Sequence, residues 1–246
     1  MNIQLFIPCF IDQLFPQTAF NMIKVLKKVG CTVQYNEKQT CCGQPAFNAG
    51  YWKDATKVCE KFLQDFEGSD YIVAPSASCV GFVKNYYKKL APSQPSPKGK
   101  ENLFLEGIQN ISGRIYEFSE FLTKVLNVTD VGATLNAKAT YHDSCAALRE
   151  CNIKEAPRTL LQHVKGLALI EMEETTVCCG FGGTFAVKFE PISIAMADQK
   201  INHALATGAD YIISTDMSCL MHLDGYIKHK GYALKTLHIA DVLARQ

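Results

Sequence analysis

The sequence predicts an α/β fold: two pseudo-repeated α/β domains, each a small parallel sheet flanked by helices, with cysteines at the C-terminal strand ends. Short apolar runs alternate with stretches of helical period, the pattern of parallel sheets covered by helices. The alternation occurs twice, and landmark residues recur between the copies in the same order. In each copy the apolar runs stop shortly before a cysteine or an adjacent cysteine pair.

In the first half, "NIQLFIP" (2–8) is a strand that stops before Cys9. "QTAFNMIKVLKKVG" (17–30) carries apolar residues at helical spacing and closes on glycine. "CTVQYNE" (31–37) is a second strand with Cys31 at its entry. "FNAGYWKDATKVCEKFLQDFEG" (47–68) is a second helix with Cys59 on its apolar side, and "DYIVAP" (70–75) is a third strand leading to Cys79. Cys31 and Cys59 read as small buried hydrophobes. The second half repeats the order: strand "KATYHD" (138–143), helix "EAPRTLLQHVKG" (155–166), strand "LALIEME" (167–173), helix "PISIAMADQKINHALATG" (191–208) and strand "DYIIS" (210–214).

The landmarks match closely. Cys9 lies 33 residues before Cys42, and Cys145 lies 34 before Cys179. "DYIVAPSASC" (70–79) matches "DYIISTDMSC" (210–219), with Cys79 37 residues after Cys42 and Cys219 40 after Cys179. Cys-Cys-Gly itself occurs twice, in "NEKQTCCGQP" (36–45) and "TVCCGFGG" (176–183). Self-similarity of this kind marks repeated structural units. The expected division is a first cysteine-rich domain over 1–92, a linker and bridging helix over 93–135, and a second cysteine-rich domain over 136–246. Within the junction, "APSQPSPKGKENLFLEG" (91–107) reads as a solvated linker and "EFSEFLTKVLN" (117–127) as an amphipathic helix.

Composition excludes several functions. With 246 residues, a formal charge of +1 and no Lys/Arg run, the chain has no field to recruit nucleic acid or an acidic membrane. No apolar stretch reaches the roughly 20 residues of a membrane span, and "MNIQLFIPCF" lacks the basic start and small-residue cleavage site of a signal peptide. A cytoplasmic protein is expected. Eleven cysteines in a reducing compartment then point to metal binding or redox work rather than disulfides.

In a parallel α/β sheet, ligands gather outside the carboxyl ends of the strands. Cys9, Cys41, Cys42 and Cys79 converge there in the first half, and Cys145, Cys178, Cys179 and Cys219 in the second. Four thiolates suit an iron–sulfur cluster or a tetrahedral zinc. Adjacent cysteines reach one centre only through a sharp turn, for which Gly43 and Gly180 supply positive φ. Such a pair fits more easily around a polynuclear cluster than around one zinc ion, whose protein sites use spaced pairs.

These residues resemble the cysteine-rich CCG-domain family, whose motif is Cys, about 30–40 residues, Cys-Cys-Gly, a similar gap, then Cys-x-x-Cys. The family includes a component of heterodisulfide reductase, the iron–sulfur subunit of glycolate oxidase and the lactate utilization proteins. The two-repeat layout and "YHDSCAALRECNIKEAPRTLL" (141–161) are most similar to the lactate-utilization branch. The resemblance implies an iron–sulfur electron-transfer subunit of a complex that oxidises L-lactate to pyruvate, with one or two [4Fe–4S] clusters. It also implies the B and C proteins of lactate utilization as partners. The alternatives are a subunit of a glycolate oxidase or heterodisulfide reductase-like enzyme, and a non-redox module holding zinc in one site. The family's last motif stands here as "SASC" and "DMSC", so Ser76 and Asp216 replace its first cysteine. Four thiols per half then suit a [4Fe–4S] cluster rather than a five-cysteine non-cubane one, and Asp216 is expected to cap a helix.

Other candidates are weaker. His142, three residues before Cys145, is expected to be hydrogen-bonded structure, with a proton-donor or second-sphere role as the alternative. "GFGGT" (180–184) lacks the Lys-Ser/Thr of a phosphate loop and reads as close packing of backbone. Cys151 reads as structural. No flavin or nicotinamide fingerprint is present to take an electron pair, so the chain is expected to act as a non-autonomous subunit.

Overall fold

The computed structural model describes residues 1–68, 70–91 and 100–246. The first half runs β1 (Asn2–Leu5), α1 (Cys9–Leu14), α2 (Pro16–Lys28), β2 (Thr32–Tyr35), α3 (Gln44–Asn48), α4 (Trp52–Asp65), β3 (Tyr71–Ala74) and α5 (Ala77–Tyr86). Next come α6 (Lys100–Arg114), β4 (Ile115–Glu117) and α7 (Phe118–Glu120). The second half runs β5 (Thr134–Tyr141), α8 (Cys145–Glu150), α9 (Glu155–Gln162), β6 (Lys165–Leu169), α10 (Thr184–Lys188), α11 (Glu190–Ala206), β7 (Tyr211–Ser214), α12 (Met217–Lys230), β8 (Lys235–His238) and α13 (Ile239–Leu243).

The two sheets have the same order, β2-β1-β3-β4 and β6-β5-β7-β8, and every neighbouring pair is parallel. The chain moves to one side of β1 and then to the other, so a crevice opens outside the carboxyl ends of β1 and β3, and again at β5 and β7. Local chemistry supports the elements. Pro16 presets the first turn of α2, whose apolar stripe buries Ala19, Met22, Val25 and Leu26. Glu117 ends β4 and accepts from the Ser119 and Glu120 N–H groups (2.8 and 3.2 Å), which starts α7.

The halves share one body. A single buried cluster joins Ile3, Leu5 and Met22 to Tyr141, Leu160 and Ile212. Helix α2 lies along α13: Thr18 Oγ1 and Asn21 Nδ2 donate to the Asp241 carboxylate (3.0 and 2.9 Å), and Lys24 Nζ to the Ala244 carbonyl (2.9 Å). A second, aromatic cluster around Phe6, Phe62, Phe66 and Tyr87 takes in Ala147, Cys151 and Ile153 from the other half. Cys31, Cys59 and Cys151 are buried.

The junction differs from the expected linker. Residues 92–99 lie outside the described residues, but 100–107 form the first half of α6. The bridging helix over 117–127 is split into α7 and a π-turn over Phe121–Val125. Each sheet also has a fourth strand, β4 or β8, beyond the three expected.

Candidate metal centres

The crevices are where the thiols meet. β1 passes through Ile7 and Pro8 into α1, whose first residue is Cys9. β5 ends at a turn where Ser144 Oγ accepts from Ala147 N–H (3.2 Å), starting α8 at Cys145. Cys79 and Cys219 occupy the third positions of α5 and α12. All four thus sit in the first turn of a helix.

The Cys-Cys-Gly turns complete each set. Gly43 and Gly180 adopt φ of 92° and 95°. Their N–H groups fold back onto Cys41 Sγ and Cys178 Sγ (3.4 Å each), and the Phe181 N–H reaches Cys179 Sγ (3.5 Å). Cys42 Sγ lies 3.5 Å from Cys79 Sγ. The thiols influence one another's ionisation in sequence order, Cys9–Cys41–Cys42–Cys79 and Cys145–Cys178–Cys179–Cys219. Every one of the eight thiols singled out in the sequence joins one of these two groups. The first group runs from the exposed Cys9 to the buried Cys42, while in the second Cys145 and Cys178 are half-buried and Cys179 and Cys219 buried.

A Cβ on Gly180 would meet the Ser193 carbonyl oxygen at 2.6 Å, and Ser193 Oγ donates to the Gly180 carbonyl (2.8 Å). Gly180→Ala therefore combines a left-handed backbone with a clash against main chain. It is expected to cost about 2 kcal/mol or more in urea unfolding. Gly208→Ala, at φ 66° with nothing within 4 Å, serves as the control and should cost less.

Electrostatics shows what the groups call for. Hydrogen bonds from Cys42 and Cys9 lower the Cys41 thiol to about 3. Those from Cys145 and Cys179 lower Cys178 to about 2. Their donors Cys9, Cys42, Cys145 and Cys179 are pushed up, because ionising would forfeit the bond to the charged sulfur. Four crowded thiols cannot all ionise without a cation among them. The donor set suits a metal or iron–sulfur centre.

Around the second group, His142 is fully buried with no protein partner for Nδ1 or Nε2, contrary to the expectation of a hydrogen-bonded histidine. Burial, reinforced by the Lys200 charge, lowers it to about 4, so the ring is neutral. Its donor atom and those of Cys179 and Cys219 lie within 4.8 Å of one another. Asp216 is a capping residue in an unexpected sense. It precedes α12, but its carboxylate crosses to the other half and accepts from Ser78 N–H at the start of α5 (2.8 Å). An isolated antiparallel bridge between Ser76 and Asp216 directs it there. Ser76 Oγ accepts from Cys79 N–H (3.4 Å), capping its own helix. Sequence reasoning missed Lys200, whose only signal is a lysine within a helix that otherwise buries small and apolar residues.

A model of the CCG cysteine-rich domain family matches residues 3–84 and 139–224, segments that contain all eight thiols. The chain belongs to the CCG cysteine-rich domain family. Its two CCG segments take in β1 to β3 and the end of β5 to β7, the strands whose carboxyl ends form the crevices. Over 246 residues it is 41% identical to Lactate utilization protein A of Halalkalibacterium halodurans, covering 100% of this chain and 98% of that protein. Over 243 residues it is 42% identical to Lactate utilization protein A of Anoxybacillus flavithermus, covering 99% of each. Among solved structures, a hypothetical protein from Helicobacter pylori matches with a TM-score of 0.60 at 12% identity, over 98% of this chain and 48% of that one. The chain therefore spans about half the length of that protein, and the likeness is one of fold. Among the described residues of this CCG protein, no helix is long and apolar enough to cross a membrane.

Proposed function

We propose that each half holds a [4Fe–4S] cluster on its four thiols and that the chain is the electron-transfer subunit of a cytoplasmic complex oxidising L-lactate to pyruvate. The observation that carries this reading is the duplicated four-thiol crevice. It is joined by identity above 40% along the whole chain to proteins named for lactate utilization. In the unit 1–92 the ligands are Cys9, Cys41, Cys42 and Cys79. In the unit 136–246 they are Cys145, Cys178, Cys179 and Cys219, and 93–135 joins the two.

When bound, a [4Fe–4S] cluster supplies one-electron transfer. The chain's residues prepare the site for it. The Gly43 and Gly180 turns aim two sulfurs inward and lay N–H groups against them. The starts of α5 and α12 set Cys79 and Cys219 at the crevices. Ser193 locks the second turn, and the edge at Cys9 reaches solvent, where a partner can approach. Removing a hydride equivalent from a 2-hydroxy acid needs a base for the hydroxyl proton and an acceptor for two electrons. Neither thiol group supplies the pair acceptor, so the complete reaction requires partners, the B and C proteins of lactate utilization.

The test is L-lactate-dependent dye reduction by the cluster-loaded chain, alone and with both partners. Activity should appear only in the mixture and vanish on Cys179→Ser. Robust turnover by the single chain would contradict a relay role. A second reading, zinc at the second site, draws on the His142–Cys179–Cys219 group, a donor set that suits tetrahedral zinc. Metal analysis of Cys42→Ser protein separates the two: iron with sulfide supports the cluster, and zinc without sulfide supports this alternative.

A further inference from the structure

The two crevices have the same sulfur layout in different surroundings. Phe6 and His142 are structural counterparts: Phe6 N–H extends the β1–β3 pairing to the Val73 carbonyl (3.0 Å), and His142 N–H extends β5–β7 to the Ile213 carbonyl (2.8 Å). In the first half this position is aromatic. Phe6 meets the edges of Phe62 and Phe66, with ring centroids 4.9 and 5.7 Å away. The buried face of α4 is Ala55, Cys59 and Phe62. Tyr87 spends its hydroxyl proton on the Cys42 carbonyl (2.8 Å), not on a sulfur.

In the second half the surroundings are more polar. His142 is buried with an unpartnered ring beside Cys179 and Cys219. An imidazole N–H left unpaired in the interior is costly, and the nearest soft acceptors are these two sulfurs, whose atoms and the ring donor lie within 4.8 Å of one another. Helix α11, the counterpart of α4, buries Lys200 at 1% exposure. Its ammonium donates to the Glu174 and Thr175 carbonyls (2.6 and 3.2 Å), which fixes a positive charge beside the strand–turn that carries Cys178 and Cys179.

We propose that His142 donates its ring N–H to the thiolate sulfur of Cys179 or Cys219 in the loaded second centre. Together with the buried Lys200 ammonium it sets that centre at the higher reduction potential, so electrons run from the first half to the second. The assignment rests on the cluster reading above. Donors and positive charge around the sulfurs favour the reduced, more negative state. In the transfer, one electron leaves the reduced first cluster and reduces the second, with no bond made or broken. The Ser76–Asp216 bridge, one helical turn before Cys79 and Cys219, brings the two helix starts together. Their Cα atoms lie no more than about 16 Å apart.

The test is an EPR-monitored redox titration of the cluster-loaded full chain, with Cys179→Ser reporting the first centre and Cys42→Ser the second. The second midpoint should be the higher. His142→Phe, which installs the residue found in the first half, should lower it by at least the 59 mV that a tenfold change means for a one-electron couple. Lys200→Met should lower it as well. His142→Gln, which keeps an N–H, should restore most of the shift, and the first midpoint should stay fixed throughout. Unchanged midpoints, or equal shifts in both centres, would overturn the assignment. So would a strong nitrogen hyperfine coupling, which would make His142 a ligand instead of a donor. If His142→Phe does not fold, Lys200→Met and the nitrogen coupling of unaltered protein decide. Iron and sulfide assays on the same samples read the cluster separately: protein that takes up neither overturns the cluster reading itself.

Discussion

Replacing Arg158 by methionine is expected to destabilise the chain by about 3–5 kcal/mol, because it orphans a buried carboxylate. Asp143 is 1% exposed and Arg158 8%. The guanidinium grips Asp143 with two bonds (Nη1 to Oδ1 2.8 Å, Nη2 to Oδ2 2.7 Å), bonds Glu171 through Nε (2.7 Å) and lies over the Tyr141 ring at 4.9 Å. A buried ion pair contributes little net stability, but removing one partner leaves the other charge uncompensated. The double substitution Arg158→Met, Asp143→Asn should therefore recover much of the loss. Asp143 stands between His142 and Ser144 in the turn that presents Cys145. The single variant should therefore also weaken metal retention in the second half more than in the first. Urea unfolding of the three proteins, with metal content measured on each, checks both statements. A loss under 1 kcal/mol would show that Asp143 finds other partners.

Cys42→Ser and Cys179→Ser should each remove about half of the bound iron and sulfide, and the double variant nearly all. Cys42 and Cys179 are interior links of their sulfur chains, flanked by Cys41 and Cys79 and by Cys178 and Cys219. The neutral hydroxyl of serine is a poor substitute for thiolate at a soft centre. The two groups belong to separate sheets, so neither substitution touches the other set. Loss of both signals from one substitution, in a protein that still folds, would mean a single shared site.

Much of this was legible in the sequence because the central strands carry mostly apolar, β-prone residues. β1, β3, β5 and β7 carry "IQL", "YIVA", "ATY" and "YIIS", and their ends locate the cysteines. The strands β4 ("IYE") and β8 ("KTLH") escaped, because polar and charged residues leave each only a short apolar stretch. Helices α1 and α8, six residues each, begin on the cysteines themselves and are too short to show a helical period. The capping role of Asp216 could be anticipated, but its recipient could not. The carboxylate serves a helix whose Ser78 is 138 residues away, a contact fixed by how the halves pack. The same holds for Lys200 and His142, whose meaning depends on burial beside sulfurs that only the folded chain brings near.

The central claim is that eight thiols in two crevices hold iron–sulfur clusters. It is tested most directly by measuring iron, zinc and acid-labile sulfide in protein purified without exposure to oxygen. Two [4Fe–4S] clusters predict a brown protein with about eight iron and eight sulfide per chain. Stoichiometric zinc with no sulfide would contradict the account.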